Sequence, residues 1–510
     1  MNILRNIKIL FVSLAAAATI TSCLDKLPGS AIPEDEALQT FNDAEQFVTG
    51  IYALLKSSAL YSGYLTLLPD IQTDLVYAVE GNTNTYGSFW QWDIRPTTSE
   101  IEAVYASLYQ VISNCNFYLE RIDKVVASLT DDDTIETLEQ YTAEVHTIRA
   151  LAYSELLKCY CKAYDPATAE NELGVVIRRH YSVKEEAVRA SLKESYEFVL
   201  EDLDKAEELF AEENVGHSST YMTLGVVYAL RARVALNMQD WTTAVEYSSK
   251  VIDMKEVYSL SSAKQLYSSG MTFYDYMWKY DVGTEILWRV GFTTTSYGGA
   301  LGQVFLNYNV DYTYYYPDFV PAQWVLQLYD AADLRYNSFF VEFPTGYDHA
   351  LSWPLLVKYY GNGDFLNQYI YHVSMPKPFR LAEQYLIRAE AYCRQSSPNY
   401  GLASKDLTTL RESRYATGGA VSLTADNYLQ QIADERVREL YMEGFRLNDL
   451  KRWGTLYNGG RGFKRTPQTS SLPEGSSLEI KADNPLFVWP IPQHEIEAPG
   501  SQVQPNESNK

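Results

Sequence analysis

The stretch that most constrains the fold is ALRARVALNMQDWTTAVEYSSKVI, Ala229–Ile252. Apolar residues recur at helical spacing on both sides of a two-residue break at Gln239-Asp240, with Ala232 and Ala244 facing each other across it. Small residues at those positions let two antiparallel helices cross closely, as in a tetratricopeptide-like repeat. The unit recurs from Leu381 to Leu410, with Ala389 before a loop at Pro398-Asn399 and Ala403 after it. A helical pair buries its apolar face only against a neighbour, so such units imply stacked pairs in a superhelical frame.

Further helices are expected at 35–57, 99–128, 134–164, 191–210, 221–238 and 241–254. Ser99 is read as an N-cap with Glu102 as its capping-box partner, and Asp131-Asp132-Asp133 as a solvated break. Two regions do not fit the helical period. Residues 62–92 are rich in Gly, Asn, Thr, Tyr and Trp, and GNTNTYGSFWQW (Gly81–Trp92) is their most turn-rich piece. Residues 257–380 form a Tyr-rich, Gly/Asn/Pro-punctuated insert with apolar runs at 285–290 and 355–359 that suit short strands. Nine tyrosines fall between Met271 and Pro317, at least double the density of the whole chain. A loop lobe this long in a helical protein is usually functional. The fold class expected is mainly α, a helical-pair scaffold with a loop-rich lobe and a few short strands.

Residues 1–22 read as an export signal, with Arg5 and Lys8 ahead of an apolar core, Ile9 to Ile20, too short to span a bilayer. Small residues then precede Cys23, as in a bacterial lipobox, which makes Cys23 the expected lipidation site and 23–34 a tether. Losing residues 1–22 takes the formal charge from -23 to -25. So acidic a chain repels nucleic acid, and no basic patch with interleaved aromatics is present. Cys159 and Cys161 point to different sides of a helix, and six scattered histidines form no ligand set, so no metal or other cofactor is expected. Cys115, Cys159, Cys161 and Cys393 are expected to be buried thiols rather than disulfides.

The stretch Asp434–Gly454, DERVRELYMEGFRLNDLKRWG, places Val437, Leu440, Tyr441 and Phe445 on one helical face. Its charges sit three apart: Glu435 with Arg438, Glu443 with Arg446, Asp449 with Arg452. On charge pattern alone this is one solvated amphipathic helix. The string ER-x-R-EL-x-x-EG-x-R-x-x-DL-x-RWG nevertheless resembles the C-terminal signature of the SusD/RagB family of outer-membrane glycan-binding lipoproteins. The segments YLIRAEAY (Tyr385–Tyr392) and PIPQHEI (Pro490–Ile496) match two further family motifs.

The resemblance implies a single domain over 35–510, with a scaffold at 35–256 and 381–456, the insert at 257–380 and a closing segment at 457–510. It also implies surface display, the acidic residue after Cys23 resembling a surface-export signal, and a SusC-like TonB-dependent transporter as partner. Glycan capture needs aromatic faces for sugar rings and polar groups for hydroxyls, and no catalysis. By region, the family's ligand surface corresponds to Asp74, Tyr77, Asn82, Tyr86, Trp90 and Trp92, then Tyr274, Trp278, Tyr312, Tyr314, Tyr315 and Tyr316. Trp90 and Tyr314 are the foremost stacking candidates, with Asp74 and Asn82 for hydroxyls, and Glu443, Arg446 and Asp449 are expected to brace the signature helix. Two other readings stay open. One is a peptide-binding tetratricopeptide adaptor; the other is a surface glycoside hydrolase, for which no recognisable acid/base motif is present.

Overall fold

The computed structural model describes residues 36–182, 184, 186–211, 219–308, 314–347, 352–457, 460–465 and 479–510. The expected signal, tether and Cys23, and Tyr312, lie outside the described residues. The frame begins with Phe41–Leu54, whose entry is fixed by a reciprocal capping box between Thr40 and Asp43. Long helices follow at Ser99–Leu119, Asp132–Tyr160 and Leu192–Leu209. The pair Leu224–Asn237 and Trp241–Asp253 then packs against Leu381–Arg394, which in turn packs on Tyr400–Arg414. Ala232 and Ala244 are fully buried where the first pair meets, in one cluster with Ile387 and Ala391. The close crossing implied by the small residues is therefore present, and the chain has the mainly α scaffold expected.

Local readings are corrected at three helix ends. Thr98 rather than Ser99 is the N-cap of Ser99–Leu119, its side chain makes no cap bond, and the helix stops before Glu120 instead of running to 128. The exposed aspartates at 131–133 stand at the expected break between two helices, but Asp132 and Asp133 already belong to the second, which therefore starts before 134. Asp131 caps Asp132–Tyr160 by accepting from the Thr134 amide, and carboxylates there suit the positive end of the helix. The run at 285–290 supplies Ile286–Trp288, which pairs with Phe379–Arg380; the run at 355–359 ends Ser352–Leu356, which pairs with Phe340–Pro344.

The largest correction concerns 434–454. It is two helices, Tyr428–Leu440 and Arg446–Trp453, separated by an elbow in which Met442 and Gly444 take positive φ. A Cβ on Gly444 would sit 2.3 Å from the Leu65 carbonyl oxygen, so the elbow requires glycine. The fully buried Asp70 carboxyl accepts from the amides of Gly444 and Arg446, satisfying two N–H groups at the start of the second helix, while burial pushes its pKa up to about 7. Nor are the charges solvated, since Glu435, Arg436, Arg438 and Glu439 are all buried. Val437, Tyr441 and Met442 enter the core of the insert, Ile432 and Leu440 that of the second helical pair, and Leu447, Leu450 and Trp453 the main helical core. One short segment thereby joins three cores.

Buried ion pairs complete the joint. The Arg335 guanidinium bonds Asp333, Glu435 and Glu439. Arg380 bonds Glu285, Glu439 and Glu443, and Arg414 bonds Glu285 and Glu439. Of the three pairs read from spacing, Glu435–Arg438 and Asp449–Arg452 form. Glu443 instead takes Lys358 and Arg380, and Arg446 takes Asp74. Cys115, Cys159, Cys161 and Cys393 are buried free thiols.

Glu390, fully buried in the repeat helix, accepts both Arg452 Nη atoms, at 2.5 and 2.7 Å, and the Trp453 indole N–H at 3.0 Å. Burial alone would push its carboxyl up; Arg452, with Arg394 and Arg436, overrides that and holds it at about 2 against an ordinary 4.5. A carboxylate with a lowered folded value stabilises fully above its unfolded value and loses that contribution as pH falls towards the folded one. Glu390→Gln is expected to cost about 3–5 kcal/mol at neutral pH, because it strands Arg452. Urea titrations from pH 6 to pH 2 should show the gap between wild type and variant narrowing below pH 4.5. A gap independent of pH would refute this.

Candidate functional site

A two-stranded joint brings the N-terminal loop to the insert. Val76–Ala78 pairs antiparallel with Phe319–Pro321, in the register Val76 to Pro321 and Ala78 to Phe319. The ladder continues as the Val79 amide donates to the Asp318 carbonyl. Beyond it the chain turns through Gly81, Asn84 and Tyr86, all at positive φ. The Thr83 amide and hydroxyl donate to Asp318 Oδ1 at 2.7 and 2.9 Å, clipping this turn onto the insert. Asp318 is 3 % exposed while Thr83 is exposed, so the clip is covered on the side of the insert and open on the side of the turn.

Around the clip lie four half-buried tyrosines. Tyr86 meets Tyr64 edge-to-face at 5.8 Å, and Tyr316 meets Tyr347 edge-to-face at 5.0 Å. Gly346 lets the Tyr316 ring lie across the backbone, where a Cβ would come within 1.9 Å of it. A Cβ on Gly81 would touch the Tyr347 ring at 3.4 Å, so turn and hairpin are in contact. Burial, with Asp318 adding to it, pushes the hydroxyls of Tyr86 and Tyr347 up to about 12. Both stay protonated at neutral pH and keep a hydrogen to donate. Partly exposed ring faces beside phenol hydroxyls, with the Asn84 and Gln91 amides at the rim, suit the alternating C–H and O–H surfaces of a sugar.

Of the expected residues, the structure brings Asn82, Tyr86 and Tyr316 to this surface. Asn82 serves the turn itself, its Nδ2 donating to the Val79 carbonyl and its Oδ1 accepting from the Asn84 amide. Tyr314 and Tyr315 continue the strip. Tyr315 packs against Tyr308 and Phe343 with tilted rings, each at 4.6 Å, and hydrogen-bonds Tyr308 Oη at 2.9 Å, and Tyr308 reaches Tyr360 Oη at 3.3 Å.

Six expectations are corrected by burial or internal pairing. Trp90 is fully buried beneath the Arg465 guanidinium, 4.7 Å from the ring centroid, and offers no face to a ligand. Trp92 is buried against Phe487 and Phe463 and donates its indole N–H to the Gln72 carbonyl. Tyr77 is an inward strand residue. Tyr274 lies under Arg414, and Trp278 under Lys358, Lys377 and Arg380, so these rings roof buried cations. Asp74 is taken by Arg446, at 3.0 and 2.9 Å. Thr83, Asp318, Tyr64 and Tyr347 carry no signal separating them from ordinary loop residues; only Gly346 marks a close ring approach, that of Tyr316.

Among the described residues no cluster of His, Cys, Asp or Glu forms a metal site, and no helix is long and apolar enough to cross a membrane. The SusD family model matches residues 345–507, and a model described as starch-binding, associating with the outer membrane, matches 24–236. The SusD-like protein P25 of Formosa agariphila is 22 % identical over 90 % of this chain and 92 % of its own. A crystallised SusD superfamily protein of Bacteroides thetaiotaomicron superposes with a TM-score of 0.77 at 23 % identity, covering 92 % of this chain and 99 % of the other. A laminarin-binding SusD-like protein superposes at 0.68 and 18 %, covering 92 % and 100 %. With 24–236 and 345–507 matched by two SusD-type models and the helical scaffold shared, the chain belongs to the SusD/RagB family.

Proposed function

We propose that this chain is a non-catalytic glycan-binding lipoprotein, anchored to the outer surface through Cys23, that captures oligo- or polysaccharide and hands it to a SusC-like TonB-dependent transporter. The observation that carries the ligand class is the Thr83–Asp318 clip, which sets the turn at 81–86 beside the half-buried Tyr316–Tyr347 pair, with the Tyr347 phenol protonated at neutral pH. Rings held by backbone contacts lose little entropy when a sugar stacks on them, which suits capture without a conformational change. The relatives point to neutral glucans as first probes, since one family model is described as starch-binding and one structural neighbour as laminarin-binding.

Native affinity gels containing soluble starch or laminarin test the reading. Retention in either gel is expected, and Tyr316→Ala with Tyr347→Ala should weaken binding about tenfold or more, each lost stacking contact costing about 1 kcal/mol or more. Retention unchanged in the double variant would overturn the assignment of the surface. Release of reducing ends by the pure protein would overturn the non-catalytic part.

Trp90→Ala separates core from ligand contact. Emptying a fully buried indole site should cost about 3–5 kcal/mol in urea unfolding. At temperatures where the variant is folded, retention should stay near wild type. Retention lost without any loss of stability would return Trp90 to the binding face.

A further inference from the structure

A second pocket lies on the insert, made by elements that contribute nothing to the surface above. The hairpin Leu266–Ser268 with Met271–Thr272 and the helix Phe273–Tyr280 form one wall. Segments 259–262 and 282–284 form the other, enclosing about 380 Å³. The helix has two distinct faces. Tyr274, Met277 and Trp278 enter the core, while Phe273 and Tyr276 turn to the pocket. Tyr267 stacks on Tyr276 at 3.8 Å with an interplanar angle of 23°, and Phe273 meets Tyr267 edge-on at 5.7 Å. Tyr267 is 49 % and Phe273 43 % exposed, a large open aromatic area for a chain whose other rings mostly pack inward.

The polar half of the lining decides the ligand. It consists of Ser259, Ser261, Ser262, Gln265 and Thr284, with no charged side chain in a chain of net charge -23. Ser259 and Thr284 hydroxyls bond each other at 2.8 Å, and Ser262 Oγ accepts from the Lys264 and Gln265 amides, which leaves its own proton to donate. The Gln265 side-chain amide holds no hydrogen bond among the described residues. A cationic or anionic ligand would find no counter-charge here, and a purely apolar one would strand the hydroxyls. Aromatic faces beside neutral donors and acceptors, in a concavity of ligand size, select an uncharged polyhydroxylated molecule.

We propose that this pocket is a second glycan-binding site, taking a neutral hexose unit of the same polysaccharide that meets the surface at 81–86 and 316–347. The ligand class rests on the glycan-binding reading, but the residues do not overlap. Two weak sites on one rigid chain raise the affinity for a polymer long enough to reach both, without altering that for a short oligosaccharide.

Amide hydrogen exchange of the full chain, with maltoheptaose or a laminarin heptasaccharide at millimolar concentration, reads both sites at once. Exchange should slow several-fold at 259–268 and 281–284 as well as at 81–86. Tyr267→Ala with Tyr276→Ala should abolish the first effect and leave the second. The single variant Gln265→Ala, at an exposed position, should weaken the first should the double change disturb the hairpin. Slowing at 81–86 alone overturns the second site and leaves the proposed function standing. Slowing at 259–284 alone supports the second site and overturns the first, and slowing at neither overturns both. Slowing at 259–284 that grows with protein concentration and needs no sugar assigns the patch to self-association and overturns the proposal.

Discussion

The structure depends on a set of arginines buried among carboxylates. Arg335, Arg380 and Arg414 have no exposed charge, and each draws on Glu439 or its neighbours at hydrogen-bonding distance. Desolvating even one such ion costs several kcal/mol, and the cost is met only where every donor finds an acceptor. Arg335 comes from the insert, Arg380 from the start of the repeat helix, Arg414 from the end of the next, and Glu285 from the turn before the strand Ile286–Trp288. Satisfaction of all of them fixes scaffold and insert in one arrangement. A packed apolar interface of equal area would tolerate small slides; a guanidinium held on three sides does not.

That network also explains where the sequence was legible and where it misled. Helices with a polar and an apolar face were readable because burial follows the 3.6-residue period, as at Leu192–Leu209 with its Ser191 and Glu194 cap. The stretch from 434 to 454 obeyed the same period yet was buried on nearly every side, so charge no longer signalled solvent. Its elbow hinges on Gly444 and on a carboxylate, Asp70, lying 374 positions earlier. No local pattern reports such a partner.

The aromatic residues were misread for a related reason. Tryptophan and tyrosine in loops suit sugar, but they suit buried cations equally well, since an arginine or lysine over a ring face recovers part of its lost hydration. Trp278 covers three cations and Trp90 one, and both left the candidate site on that account. Tyr86 and Tyr316, with Asn82, Tyr314 and Tyr315, lie in the two loop regions that the family resemblance marks. Tyr347 and Thr83 came from pairing between distant segments, which spacing along the chain does not encode. Cations claim Trp90, Tyr274 and Trp278 for the core, and apolar packing claims Trp92 and Tyr77.

The strand joint between Val76–Ala78 and Phe319–Pro321 has a consequence for assembly. Thr83 and Asp318 are 235 positions apart, so the clip closes a loop that contains most of the helical frame. Contacts of such separation form only after the intervening chain has given up its freedom. The tyrosine surface therefore depends on the order of the frame that lies between its two halves in sequence. A chain in which that frame is unformed pays the entropy of closing the loop before the clip or the ring pairs can form.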